Sequence, residues 1–123
     1  MIKKFTLIII LLFCAFSLSG CSLMVSTPET PKEVINQTKF QTDKISAINQ
    51  ARILFQQKKM SGDDLSKGPC ISNDLLPDWV ADIAHNPRDP IDDIPQNQCP
   101  AFLNGTAHHF VELDLEGNLI KAN

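Results

Sequence analysis

Apolar residues follow three rhythms along this 123-residue chain. From Phe5 to Phe16 they form an almost unbroken run. From Asp43 to Met60 they recur with helical spacing: Ala47, Ile48, Ala51, Leu54 and Phe55 share one face, while Lys44, Gln50, Gln57 and Lys58 fall largely on others. This predicts a helix over about 43–60, closed by Ser61-Gly62, with its apolar stripe turned to a core. An earlier start is also written in Thr30-Pro31-Lys32-Glu33, where Thr30 suits a cap, Pro31 the first turn and Glu33 a capping box. The third rhythm is alternation. Trp79, Ala81, Ile83 and His85 lie on one side of a strand, and His109, Val111 and Leu113 alternate with His108, Phe110 and Glu112 in another. Asp114-Leu115-Glu116-Gly117 has the form of a type I turn, after which Asn118–Lys121 returns. Asn104-Gly105 marks an earlier turn, and Cys70-Ile71-Ser72 a short strand. Prolines at 69, 77, 87, 90, 95 and 100 exclude long helices between Gly62 and Pro100, so 86–98 reads as a long polar loop. The expected fold is α+β: one main helix packed on a small antiparallel sheet of three to four strands.

The first run has a different meaning. Lys3 and Lys4 precede it and small residues follow it, the layout of a secretory leader, and it is shorter than the roughly 20 residues of a membrane span. It ends in Leu18-Ser19-Gly20-Cys21, which resembles the lipobox of bacterial lipoproteins at all four positions. The resemblance covers residues 1–21. It implies that the Cys21 thiol receives a diacylglycerol, that the chain is cut before Cys21, and that the membrane is the first partner. Several acyl chains hold a protein firmly where one, at about 0.8 kcal/mol per buried CH2, does not. Ser22 resembles the class sorted to the outer membrane, which places the domain in the cell envelope, facing the periplasm in a host with two membranes. Beyond the leader the chain resembles only uncharacterised envelope domains. Residues 1–20 are thus expected as leader, 21–30 as lipidated N-terminus and tether, and 31–123 as one domain.

Removing the leader takes two lysines and no acid, leaving 9 basic and 14 acidic residues and a formal charge of about −5. An acidic domain without a basic cluster argues against nucleic acid. Of four cysteines, Cys14 leaves with the leader and Cys21 carries lipid. Cys70 and Cys99 remain, and in an oxidising compartment a lone pair is expected to form a disulfide.

The densest polar group is Asp82, His85, Asn86, Arg88 and Asp89. A histidine beside carboxylates suits a general base or a metal ligand. The same residues, as His85-Asn86-Pro87-Arg88-Asp89-Pro90, also read as a rigid turn, with Arg88 pairing to Asp89 or Asp92. His108 and His109 point to opposite faces of a strand and do not chelate one ion, though His108 remains a candidate to join His85. Asp114–Asn118 lacks the alternating ligands of a calcium loop. No glycine-rich phosphate loop and no G-x-S-x-G is present, and no cofactor is called for. Two readings follow. In the first, the domain is an interaction or structural module for an envelope protein or peptidoglycan. In the second, it is a small-ligand or metal-binding module built on Asp82, His85, Arg88, Asp89 and His108, with hydrolysis a distant third. Convergence of these side chains in one cavity favours the second; dispersal favours the first.

Overall fold

The computed structural model describes residues 30–123; the leader, Cys21 and most of the tether lie outside them. The helical stripe forms as expected, within a longer element. Helix α1 spans Pro31–Ser61, 31 residues and so about 46 Å. Ala47, Ala51 and Phe55 are fully buried at intervals of four, with Ile48 and Leu54 packed beside them. The two alanines let the helix approach the sheet closely. Its first nine residues, 31–39, are all exposed. Thr30 stands at the N-cap but makes no side-chain cap bond, so the capping box expected with Glu33 does not form. At the other end Gly62 takes a left-handed φ of 82°, and the amides of Gly62 and Asp63 bond to the carbonyls of Lys59 and Lys58.

Four strands follow: β1 (Cys70–Leu76), β2 (Trp79–Ile83), β3 (His109–Leu113) and β4 (Leu119–Ala122), in the order β1-β2-β3-β4. The fold is α+β, with one main helix on a four-stranded sheet. The sheet is mixed rather than wholly antiparallel: β1 and β4 are antiparallel to their neighbours, but β2 and β3 run parallel, pairing Trp79 with His109 through Ile83 with Leu113. A parallel pair needs a crossover of a dozen or more residues, and residues 84–108 supply one. The prolines that rule out a long helix there leave room for two short pieces, a 3-10 helix (Pro90–Asp93) and helix α2 (Pro100–Leu103).

Two tight turns close the hairpins. Pro77-Asp78 joins β1 to β2, with Asp78 at a φ of 71°, the position where a type II turn needs positive φ. In the β3–β4 turn the Gly117 amide bonds to the Asp114 carbonyl at 3.0 Å, while the Asp114 carboxylate accepts from the amides of Glu116 and Asn118. Gly117 has a φ of 88°, and a Cβ there would lie 2.6 Å from the Phe55 ring, so both the turn and the helix contact require glycine.

Alternation sorts the sheet into two faces. Trp79, Ala81, Ile83, Val111 and Leu113 bury against α1, as the pattern predicts. Val80 and Phe110 turn to the opposite face and pack with Cys99, Ala101 and Ala107 of the crossover. Cys70 and Cys99 form the expected disulfide, their Cα atoms 4.9 Å apart, which ties β1 to the start of α2.

Closing 29 residues of sequence removes loop entropy from the unfolded chain worth about 3–4 kcal/mol. Replacing both Cys70 and Cys99 by serine is therefore expected to lower unfolding free energy by about 2–5 kcal/mol, read from denaturant midpoints. Equal midpoints for wild type and variant would show that the crossover needs no covalent tie.

Candidate functional site

The crossover is held by a carboxylate that sequence reading treats only as a possible partner of Arg88. The Asp92 side chain is 1% exposed. Its Oδ2 accepts from the backbone amides of His85 (3.0 Å) and Asp89 (2.9 Å), and its Oδ1 meets the His85 Nδ1 at 2.8 Å. The Asp89 carboxylate in turn accepts from the Ile91 amide and caps the 3-10 helix. Gly68, itself buried, leaves space for Asp92: a Cβ on Gly68 would lie 2.4 Å from Asp92 Oδ1. Asn97, also buried, donates to the carbonyls of Lys67 and Ile91.

Burial pushes the Asp92 carboxyl up, but the His85 ring and the Asp89 and His85 amides outweigh that and hold it below the ordinary range. The hydrogen bond to Asp92 in turn raises His85, against a smaller desolvation effect. His85 and Asp89 are thus parts of the loop's scaffold. The bonds run to carboxylates and amides in a closed local network.

Arg88 reaches out of this network. Its Nε donates to Asp93 at 2.9 Å and its Nη1 to Glu112 on β3. Those are its ion-pair partners, in place of the Asp89 or Asp92 expected from proximity in sequence. Glu112 stands opposite Asp82 in the parallel register. Together Asp82, Arg88 and Glu112 line a cavity of about 260 Å³ on the sheet face away from α1, walled by Val80, Phe102 and Phe110 and bordered by Gln98 and Lys121. The rings of Phe102 and Phe110 meet edge to face at 5.2 Å. Asp82 Oδ1 is buried and has no hydrogen-bond partner among the described residues. Burial, and then the neighbouring Glu112, push the Asp82 carboxyl up to about 7, opposed by Arg88.

Of the side chains named from the sequence, Asp82 and Arg88 converge here. His85 and Asp89 do not line the cavity but brace its Arg88-bearing loop. His108 does not join them. Its ring and amide both bond to Asp78, at 2.6 and 2.8 Å, pinning the β1–β2 turn to the start of β3. The His109 ring packs at a tilt against Trp79 and Phe40 at the helix contact. Among the described residues no three histidine, cysteine, aspartate or glutamate side chains are placed to share a metal ion. No described helix is long and apolar enough to cross a membrane. Comparison with known protein families, with curated proteins and with solved structures found no match.

Three stability measurements follow. Asp92→Ala strands the amides of His85 and Asp89 and is expected to cost at least about 2 kcal/mol, since each unsatisfied buried group costs roughly 1–3 kcal/mol; a loss near zero would contradict the network. The pH dependences have opposite signs. The lowered Asp92 stabilises above its ordinary 3.8 and loses that effect as pH falls, while the raised His85 stabilises below 6.5 and loses it as pH rises. His85→Ala is therefore expected to lower the unfolding midpoint most between those values. Asp82 works the other way: its raised carboxyl lowers stability as pH climbs from 3.8 to about 7. Asp82→Asn is expected to flatten that decline and to be the more stable protein above neutrality; a steeper decline would overturn the assignment.

Proposed function

We propose that this chain is an envelope lipoprotein, anchored through Cys21, whose domain holds a small ligand in the cavity on the outer face of its sheet. The anchoring half rests on the match at Leu18-Ser19-Gly20-Cys21, and the Cys70–Cys99 disulfide supports an oxidising compartment. The nine positions between Cys21 and Pro31 extend to about 30 Å at most, which keeps the domain near the bilayer. One observation carries the binding half: a buried carboxylate oxygen without a partner, at a cavity with two aromatic walls. Buried polar atoms are nearly always paired, so an orphan in a cleft points to a group supplied from outside. The alternative, a module that docks an envelope protein or peptidoglycan over a broader surface, draws support from Val34, Ile35, Ile45, Ile53 and Met60, all exposed on α1.

Radiolabelled palmitate is expected to enter the wild-type protein and not Cys21→Ala, which should accumulate as an uncut or mislocalised precursor; an unlabelled wild type would refute the anchor. For the cavity, spectra of the isotope-labelled full-length protein in detergent micelles, recorded with mixtures of small polar fragments, should shift at Val80, Asp82 and Phe110. Shifts confined to α1, or none at all, would refute the cavity as the binding site.

A further inference from the structure

The charges facing the outer cavity are not all committed. Glu112 is held by Arg88, and Arg88 is held a second time by Asp93. Two charged groups lie outside these pairs. Asp82 Oδ1 has no hydrogen-bond partner, and Lys121 makes no ion pair, among the described residues. The Lys121 ammonium rests instead over the Phe110 ring, 5.4 Å from its centre.

The sheet register sets the spacing of these two groups. Asp82 pairs with Glu112, and Glu112 pairs with Lys121, so the three form one row across β2, β3 and β4. Neighbouring strands are about 4.8 Å apart, which puts the Asp82 and Lys121 Cα atoms about 10 Å apart. Both side chains line the same cavity, one a short, half-buried acid whose Oδ1 is buried and the other a long, exposed cation. Val80, Phe102 and Phe110 supply apolar wall between and beside them.

We propose that this cavity binds a zwitterionic α-amino acid with an apolar side chain, its ammonium on Asp82, its carboxylate on Lys121 and its side chain against Phe102 and Phe110. The proposal rests on reading the cavity as a ligand site and names the class of ligand. Size agrees: about 260 Å³ lies just below the cavities of drug-sized ligands, which begin near 300 Å³. Chemistry agrees as well, because an ammonium supplies the donor that the orphaned oxygen lacks, in a charge-assisted bond shielded from water. The charged groups facing Asp82 are Glu112 from β3, Arg88 and Asp92 from the crossover, and Lys121 from β4. Burial and then Glu112 push the Asp82 carboxyl up to about 7, so an arriving ammonium drives out a proton at neutral pH, and affinity rises as pH passes through that value.

Calorimetric titration of the full-length protein in detergent tests this with three probes: leucine, leucinamide without the carboxylate, and 4-methylpentanoate without the ammonium. Leucine is expected to bind, with a heat that varies with the buffer's own ionisation enthalpy as a released proton requires. Each truncated analogue should bind at least about tenfold more weakly, a difference of about 1.4 kcal/mol. Asp82→Asn and Lys121→Met should each weaken leucine to a similar degree while leaving the circular dichroism spectrum unchanged. Leucine affinity retained in Asp82→Asn, or equal binding of all three probes, overturns the proposal. Fragment-induced shifts at Val80 and Phe110 with no heat from millimolar leucine overturn the ligand class and leave the cavity standing; silence in both experiments overturns both.

Discussion

The Asp92 carboxylate is the contact on which the arrangement of this domain depends. Two hairpins, β1–β2 and β3–β4, stand side by side because β2 and β3 pair in parallel. Parallel neighbours must be joined over the top of the sheet, and the joining segment here is too rich in proline to be one helix. From Ala84 to Gln98 that segment has few backbone bonds of its own, those donated by Asp92, Ile94 and Asn97. Asp92 supplies an inner anchor by gathering the amides of His85 and Asp89 and the His85 ring onto one buried side chain. The disulfide at Cys99, Asn97 on the Lys67 carbonyl and Arg88 on Glu112 then fasten the rest of the crossover to the sheet.

That crossover creates the cavity. Strand alternation sends Trp79, Ala81 and Ile83 to the helix and Val80 and Asp82 to the other side. Parallel pairing places Glu112 beside Asp82, and a neighbouring carboxylate disfavours the charged form of the Asp82 side chain. Arg88, positioned by the Asp92 network, pairs with Glu112, while burial and then the neighbouring Glu112 push the Asp82 carboxyl up to about 7. A fold that leaves one polar group unsatisfied while pairing its neighbours concentrates its local inconsistency at one point, which is where function is expected.

Much of the frame was legible in the sequence because it is local. Ala47, Ala51 and Phe55 announce a buried helical face by spacing alone, Asp114 to Gly117 spells its turn, and Cys70 and Cys99 are the two cysteines that fall within residues 31–123. The apolar period begins later than the helix itself because residues 31–39 are all exposed. The parallel pairing of β2 and β3 leaves no mark in the sequence, since alternation reports which face a residue takes and not which way its partner runs. The site residues divide in the same way. Asp82 and Arg88 drew notice as charges in a dense polar stretch, but Glu112 lies 24 residues from Arg88, and His108 finds its acid 30 residues back at Asp78. Gly68, whose missing side chain makes space for Asp92, carries no signal beyond being glycine.

Amide hydrogen exchange, followed residue by residue as the protein is acidified, tests most directly the claim that one carboxylate holds the crossover. Protonating Asp92 removes the charge that strengthens its bonds from the His85 and Asp89 amides, without touching the ladder between β2 and β3. The account predicts that protection at His85 and Asp89 is lost together, at a pH below the ordinary carboxylate value, while Val80, Val111 and Leu113 stay protected. Protection at His85 and Asp89 that survives protonation of Asp92, or that is lost only with the whole sheet, would contradict it.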